Sequence, residues 1–387
     1  MDEPLRVLVI PSWYGTGRTH LGIFFRDQVE ALREQGHRVD VVALNMVSPF
    51  QFVRSLLRSL LTGAKGFIHE GVACAPALLP AGLPVNFWLY RRLLTAKLKR
   101  YLANEGRPQV VHAHAAFYGG AVATEFFGRL GIPVVLTEHN SAIRAATLKG
   151  WRLDLARSTY LGCSRVVAVS RYLADEVNKV AAKRLCVDVI PNICSSEFAA
   201  PGAEPDLDRP FTYLNVGQFD RNKGQRRLIE AFARVDPGSR LVMVGEGPGL
   251  PKIRAQIEAL SLEGRIDIRP FVSRSELRRL MDASDAVVIS SEVETFGLVA
   301  VEGLARGLVV VSTPCGGPND VIAGGAGVLA VDHGAASLGD AMRKAQCLVG
   351  AGSRDRYRRM AVSRYAPDVV AGQLAAVFNR VVTGCAS

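Results

Sequence analysis

The chain has 387 residues, of which 49% are hydrophobic and 21% charged. This balance excludes disorder, collagen and a coiled coil as the main architecture, and the length is sufficient for two domains of ordinary size. The formal net charge of +11 predicts an anionic partner. The seven cysteines are scattered and none is in a C-x-x-C pair, which predicts reduced thiols.

The first half alternates short apolar strands with helical stretches. Strands are predicted at 7–10, 38–44, 110–112, 134–137, 166–169 and 187–190, and helices at 22–35, about 87–104, 119–130 and 171–180. A succession of strand–helix units predicts a doubly wound, mainly parallel sheet. The segment 199–210, which has three prolines and little apolar content, reads as a linker.

After the linker the alternation starts again. Strands are predicted at 212–216, 240–244, 266–270, 286–289 and 309–312, and helices at 224–235, 249–261, 274–283, 297–306 and about 367–382. The prediction is therefore an α/β protein with two Rossmann-like domains, residues 1–198 and 210–366, facing a central cleft. Ligands of such sheets bind at the carboxyl ends of the strands.

Positive charge is concentrated in the first half of the chain. Residues 1–200 hold 24 Lys and Arg against 15 Asp and Glu, and Glu70 is the only acid between positions 41 and 104. No zinc-finger, RRM or KH signature is present, so nucleic acid is not expected as the partner. The segment 48–61 predicts a basic amphipathic helix, which either lies on an anionic membrane surface or packs on its own domain.

The most informative segment is E-T-F-G-L-V-A-V-E at 294–302. Glu294 follows a predicted strand, and Glu302 lies inside the next helix. The helix N-terminus formed by Thr295, Phe296, Gly297 and Leu298 suits a phosphate group. Glu294 can accept hydrogen bonds from sugar hydroxyls and Glu302 from a ribose diol. The alternative is an amphipathic helix with solvated carboxylates.

This spacing resembles the E-x7-E motif of the retaining GT-B glycosyltransferases of family 4, and the resemblance extends over nearly the whole chain. The similar segments are V-G-Q-F-D-R-N-K-G at 216–224, V-G-E-G-P-G at 244–249, the run 305–317, V-V-H-A-H at 110–114, T-E-H-N at 137–140, V-A-V-S at 167–170 and I-P-N at 190–192. The GT-B fold implies that the C-terminal helix, about 367–387, crosses back to the N-terminal domain.

The resemblance implies transfer of a sugar from a nucleotide-diphosphate sugar with retention of configuration, with no metal and no other cofactor. Positive side chains then stabilise the leaving diphosphate. Lys223 matches the family lysine. Gln218 stands where many members have arginine, and Arg221 is the candidate to replace that charge. His139 matches a family histidine near the transferred sugar.

Glycine-bearing loops supply further donor-binding candidates. Gly17 and Gly22 lie in the loop after the first strand, which in the family reaches the donor phosphates. Gly245 opens a glycine turn that departs from the G-x-G-x-x-G dinucleotide fingerprint and is not followed by the expected acid, so NAD is not indicated. Val272, with its neighbours at a strand end, is expected to touch the base.

Two other functions remain open at this point. One is a non-hydrolysing nucleotide-sugar epimerase, and the other is a catalytically silent binding protein of the same fold. The basic N-terminal domain fits a glycan or lipid-linked acceptor and an anionic membrane surface. Because the sequence has neither a signal-peptide pattern nor an apolar run of about 18 residues, we expect a cytoplasmic protein, peripheral at the inner face of the plasma membrane.

Overall fold

The structure is a computed structural model that describes residues 3–14, 22–47, 68–69, 72–76, 84–199 and 208–384. The chain divides into two compact units. Unit 1 comprises residues 1–169, 173–190 and 370–387, and unit 2 comprises residues 170–172 and 191–369. Residues 191–198, which the sequence interpretation gave to the N-terminal domain, are assigned to unit 2.

Unit 1 is built on a six-stranded sheet in the order β2-β1-β6-β7-β8-β9, in which every strand pair is parallel. A small sheet, β3-β5-β4, accompanies it. The strands are β1 (Arg6–Pro11), β2 (Arg38–Val41), β3 (Asn45–Val47), β4 (Ile68–His69), β5 (Val72–Pro76), β6 (Val110–His114), β7 (Val134–Glu138), β8 (Arg165–Ala168) and β9 (Val187–Val189). The helices are α1 (Ile23–Glu34), α2 (Pro84–Glu105), α3 (Ala121–Gly128), α4 (Trp151–Gly162) and α5 (Arg171–Ala181).

Unit 2 contains a second parallel six-stranded sheet, in the order β12-β11-β10-β13-β14-β15. Its strands are β10 (Thr212–Val216), β11 (Arg240–Val244), β12 (Ile266–Arg269), β13 (Ala286–Ile289), β14 (Val309–Ser312) and β15 (Gly327–Leu329). The helices that follow are α6 (Ser196–Ala199), α7 (Gln225–Phe232), α8 (Leu250–Ala259), α9 (Arg274–Asp282), α10 (Leu298–Ala305), α11 (Gly317–Ile322), α12 (Ala335–Gln346) and α13 (Ser353–Tyr365). The last helix, α14 (Pro367–Thr383), begins at the end of unit 2, and its residues from Val370 onward belong to unit 1.

The central strands consist of buried residues, most of which are apolar. All five residues of β6, all five of β7 and all four of β13 are buried. Strands covered by helices on both faces need apolar or hydrogen-bonded side chains at every position, which is the pattern of parallel sheets. The two parallel sheets confirm the predicted α/β fold with two Rossmann-like units.

Several elements were not predicted because their sequences lack a clear apolar stripe. Helix α4 buries only Ala156, Thr159 and Tyr160. Helix α13 is rich in arginine, and Arg354, which is 1% exposed, packs inside unit 2 by donating to the carbonyl oxygens of Asp282 and Ser284. The small sheet β3-β5-β4, strand β15 and helices α11 and α12 were missed as well, and the predicted strand 38–44 ends earlier, at Val41.

The predicted amphipathic segment 48–61 lies outside the described residues. Among the helices that the structure does describe, none combines the length and the apolar character needed to cross a membrane.

Candidate functional site

The strand order of unit 2 identifies where a ligand can bind. Strand β10 pairs with β11 on one side and with β13 on the other, so the chain reverses its winding direction between β10 and β13. Loops that leave the carboxyl ends of two such strands diverge and open a crevice, the usual ligand site of doubly wound sheets. Here these loops are residues 217–224, after β10, and residues 290–297, after β13.

One charged residue of the first loop, Lys223, is in contact with one charged residue of the second, Glu294. Lys223 Nζ lies 2.5 Å from Glu294 Oε1, and Ser291 Oγ donates to the same oxygen at 2.7 Å. The Lys223 and Glu294 side chains are 30% and 17% exposed, so solvent and ligands can reach both. The structure therefore brings together two residues that the sequence placed 71 positions apart.

The main chain of Lys223 forms hydrogen bonds with residues of both loops. Its N–H donates to Asp220 Oδ1 at 2.9 Å, and its carbonyl accepts from Ser290 Oγ at 2.7 Å. The next residue, Gly224, has φ of 65° and begins helix α7. A Cβ at Gly224 would overlap the carbonyl oxygen of Ser290. Glycine here lets the two loops approach closely enough for the Lys223–Glu294 contact.

We expect Gly224→Ala to destabilise unit 2 much more than Gly325→Ala. Both glycines have positive φ, 65° and 87°, but Gly325 has no atom within 4 Å of an added Cβ. The left-handed conformation alone should lower the free energy of unfolding by about 1 kcal/mol in each variant. Overlap with Ser290 should raise the loss at Gly224 to about 3 kcal/mol or more. Urea unfolding of both variants measures the difference, and equal losses would show that the loops are not closely packed.

Glu302 lies on α10 and is only 7% exposed. Its Oε1 is 3.8 Å from the Arg274 guanidinium, which also lies 3.3 Å from Glu197 and stacks on the ring of Phe198 at 5.1 Å. Sequence reasoning missed Arg274. The signal that could have found it is its position just after the loop beyond β12, two residues from Val272. A cation fixed beside Glu302 holds that carboxylate in place.

The four residues predicted to bind phosphate at the N-terminus of α10 differ in their exposure to solvent. Gly297 has φ of 86° and precedes the first helical residue, Leu298. Phe296 is 6% exposed, and its ring faces Tyr365 with centroids 6.0 Å apart. The Phe296 side chain therefore packs in the core, and only its main chain is suited to a ligand. Thr295 and Leu298 are partly exposed.

The second glycine loop packs against the first. A Cβ on Gly245 would overlap the carbonyl oxygen of Gly217, so this position also requires glycine for close approach.

The other predicted donor-binding residues of unit 2 lie at the surface or close to it. Gln218 and Arg221 are exposed, and within the described part of the chain Arg221 has no ion pair. Val272 is half-buried beside Phe271, which is 60% exposed and whose N–H donates to Glu246 at 3.3 Å.

Unit 1 contains a buried group of three histidines. His112 and His114 lie on β6, and His139 directly follows β7. His112 Nε2 is 2.7 Å from Thr137 Oγ1, and His114 Nδ1 is 3.0 Å from His139 Nε2. Burial lowers the pKa of His112 to about 3 and that of His114 well below 6.5. Among the described residues, no group of three His, Cys, Asp or Glu side chains has a metal-binding arrangement.

A buried carboxylate fixes the loop that carries His139. Glu138 accepts hydrogen bonds from the main-chain N–H groups of Ala116, His139 and Asn140 and from the Tyr160 hydroxyl, at 2.8 to 2.9 Å. Burial raises the pKa of Glu138, and these hydrogen bonds oppose the increase. The loop therefore has a fixed conformation.

Aromatic rings cover His139, which is 7% exposed. The ring centroids of Phe24 and Phe25 lie 4.7 and 5.2 Å from that of His139. Gly22, with φ of 68°, precedes α1, and a Cβ there would lie 2.9 Å from the Phe25 ring. Gly22 thus helps to pack Phe25 over the histidines, while Gly17 lies outside the described residues.

Acid should destabilise unit 1 through these histidines. The folded pKa of His112 is about 3, against 6.5 for an ordinary histidine. Below pH 6.5 the unfolded chain therefore binds more protons than the folded chain, and the free energy of unfolding decreases by about 1.4 kcal/mol per pH unit for His112, with His114 acting in the same direction. Urea unfolding between about pH 8 and pH 5 measures this slope. His112→Asn should reduce it, and an unchanged slope in that variant would contradict the buried neutral state.

The chain is similar in sequence and in fold to known proteins. The profile of glycosyltransferase family 4 matches residues 21–197, and that of glycosyl transferases group 1 matches residues 201–350. Together they cover well over half of the chain. The chain belongs to the family 4 glycosyltransferases, which confirms the resemblance of its motifs to that family.

Three similar proteins illustrate this relationship. The uncharacterized glycosyltransferase YqgM of Bacillus subtilis is 27% identical over 57% of this chain and 62% of its own. The lipopolysaccharide core biosynthesis glycosyltransferase LpsD of Rhizobium meliloti is 29% identical over 80% of each chain. The crystal structure of Anabaena Alr3699/HepE in complex with UDP shares the fold, with a TM-score of 0.72 and 19% identity over 97% of this chain and 100% of that one. Four curated relatives are matched over only 52% to 65% of their own length.

Proposed function

We propose that the protein is a retaining glycosyltransferase that moves a sugar from a nucleoside-diphosphate sugar to a hydroxyl group of a glycan, glycolipid or lipid-linked acceptor. The observation that carries this proposal is the Lys223–Glu294 contact between the two loops of the β10–β13 crevice, with Glu302 eight residues further on. A cation and two partly buried carboxylates at a nucleotide-binding position suit a diphosphate, a sugar and a ribose.

Each residue has a distinct proposed role. Lys223, with Arg221 and the main-chain N–H groups at the start of α10, stabilises the negative charge that develops on the leaving diphosphate. Glu294 accepts hydrogen bonds from hydroxyl groups of the transferred sugar, and Glu302 accepts them from the ribose. Because these cations neutralise the diphosphate, no metal ion is needed in the proposed reaction.

The proposed reaction uses no nucleophile from the enzyme. The acceptor hydroxyl attacks the anomeric carbon on the face that the diphosphate leaves, so that one C–O bond forms as the C–O bond to phosphate breaks. The hydroxyl proton passes to an oxygen of the departing diphosphate. Lys223 then has to balance the charge of the phosphate group, and Glu294 has to hold the sugar in the orientation for attack.

The proposed acceptor class is supported by relatives and by charge. LpsD is named for lipopolysaccharide core biosynthesis, and the first 200 residues carry most of this chain's excess of positive charge. We propose that the enzyme acts in bacterial polysaccharide or glycolipid assembly, at the inner face of the plasma membrane.

Release of nucleoside diphosphate from a panel of UDP-, ADP- and GDP-sugars, in the presence of a bacterial glycolipid extract, tests this function. UDP is the first candidate, because HepE has been crystallised with it. We expect one donor to be consumed and the product to keep the donor's anomeric configuration, as read by NMR. Consumption of no donor by folded protein, or inversion of configuration, would overturn the proposal.

A further inference from the structure

One face of unit 1 carries a basic groove that the crevice in unit 2 does not explain. It lies between α2 and α3 and has a volume of about 470 Å³. Its charged lining consists of four cations and one acid, namely Arg91, Arg92, Lys99, Arg129 and Glu125. The groove is therefore strongly positive.

Helix α2 has one face buried in unit 1 and an opposite face that lines this groove. Its buried positions recur at helical spacing and include Tyr90, Leu94 and Leu98. The opposite stripe carries Trp88, Arg92 and Lys99, which lie four and seven residues apart and so share one face. A helix that turns a tryptophan and two cations outward has a face suited to a partner.

The described residues neutralise only part of the positive charge of the groove. Arg91 and Arg129 lie 3.3 and 2.8 Å from Glu125, so one carboxylate serves two guanidinium groups. Neither Arg92 nor Lys99 forms an ion pair with any residue that the structure describes, and both are exposed. These two cations are available to an anion from outside the chain.

The apolar component of this face favours a membrane over a free anion. Trp88 is 58% exposed, and the Arg92 guanidinium lies 5.8 Å from the centroid of its ring. Val85, three residues before Trp88 on the same helix, is also exposed, at 36%. A tryptophan beside cations fits the boundary between lipid headgroups and acyl chains, where the ring is buried and the cations meet phosphates.

We propose that the groove between α2 and α3 binds the phosphate headgroups of an anionic membrane, with Trp88 at the level of the headgroups and Arg92 and Lys99 as the contacting cations. The inference deepens the proposed function, because it names the surface that would hold the enzyme beside a lipid-linked acceptor. It does not involve the crevice of unit 2.

Cosedimentation of the full chain with vesicles tests the proposal. One set of vesicles contains phosphatidylcholine alone, and the other contains phosphatidylcholine mixed with phosphatidylglycerol. A basic residue at an anionic surface strengthens binding about fivefold, so Arg92→Gln with Lys99→Gln should weaken binding to the anionic vesicles about 25-fold. Trp88→Ala should weaken it further, and higher salt should weaken binding of the wild type.

A matched control removes the same charge from another part of unit 1. Lys183 and Arg184 are exposed after α5, and Lys183→Gln with Arg184→Gln should have little effect on vesicle binding. Equal losses in the two double variants would show a general charge effect and overturn the proposal. Unchanged vesicle binding in the groove variant would overturn it as well.

Two further measurements distinguish a membrane from free phosphate and from a soluble polyanion as the ligand of the groove. Inorganic phosphate at low millimolar concentration should not displace the protein from anionic vesicles, and heparin binding should not depend on Trp88. Displacement by phosphate, or a Trp88-dependent interaction with heparin and none with vesicles, would overturn a membrane site. Titration of the groove variant with nucleoside diphosphates reports on unit 2 separately, so failure of the groove and failure of the proposed activity can be distinguished.

Discussion

Lys223→Gln should lower the rate of sugar transfer by about 100- to 1,000-fold, because loss of one group that stabilises developing negative charge has an effect of this size. Lys223 is the cation at the β10–β13 crevice that contacts Glu294, and it is partly exposed. Exposed ion pairs contribute little to stability, so the variant should fold normally. Steady-state release of nucleoside diphosphate, together with the melting temperature, measures both quantities.

Arg221→Gln is the matched control, since it removes a cation from the same loop. Arg221 is exposed, and no described carboxylate pairs with it. We expect a loss of about tenfold or less, consistent with an assisting charge. If Lys223→Gln keeps more than about a tenth of the activity while Arg221→Gln abolishes it, Arg221 has taken the role that we propose for Lys223.

Glu302→Ala should weaken nucleotide binding by one to two orders of magnitude, since hydrogen bonds to a charged group are each worth about 1.5 to 3 kcal/mol. A nucleotide present at 100 times its dissociation constant stabilises the folded protein by about 2.7 kcal/mol. A 100-fold weaker site would leave about 0.4 kcal/mol at the same concentration. Thermal unfolding with and without nucleotide measures this loss.

Arg274→Gln separates the effect of the Glu302 carboxylate on nucleotide binding from the effect of the cation beside it. Arg274 lies 3.8 Å from Glu302 and 3.3 Å from Glu197, so its loss should leave Glu302 in place but less firmly oriented. We expect a weakening of nucleotide binding of about tenfold or less. Full binding in Glu302→Ala would contradict the ribose role, whatever the result for Arg274→Gln.

The positions of the main site residues could be predicted because they depend on local order along the chain. A buried apolar strand at Ala286–Ile289 is followed by a loop and then by a helix, so Glu294 had to follow the strand and Glu302 had to lie on the helix. The same reasoning placed Lys223 after β10. The strand order β12-β11-β10-β13-β14-β15 then brings the two loops to one crevice.

The side-chain pairs could not be predicted, because each joins distant segments. Lys223 contacts Glu294 across 71 positions, and His114 contacts His139 across 25. Such contacts depend on which strands are neighbours in the sheet and on side-chain rotamers, neither of which is encoded in a short motif. The pairing of Arg274 with Glu302 was missed for the same reason.

Burial also changed the expected role of some residues. Phe296 was predicted at a phosphate-binding helix end, but its ring packs in the core against Tyr365. Arginines usually indicate a surface, yet Arg306 and Arg354 are 2% and 1% exposed because carboxylates and carbonyl oxygens of unit 2 accept their hydrogen bonds. Composition therefore gave no indication that one side of α13 is buried in unit 2.

Calorimetric titration of the full chain with UDP, ADP and GDP, in the presence of a metal chelator, tests the central claim most directly. We expect one of these nucleoside diphosphates to bind with one-to-one stoichiometry and a dissociation constant in the micromolar range, and we expect both Lys223→Gln and Glu302→Ala to weaken it. Folded protein that binds none of the three, or that binds one equally well in both variants, would contradict the assignment of the β10–β13 crevice as the donor site.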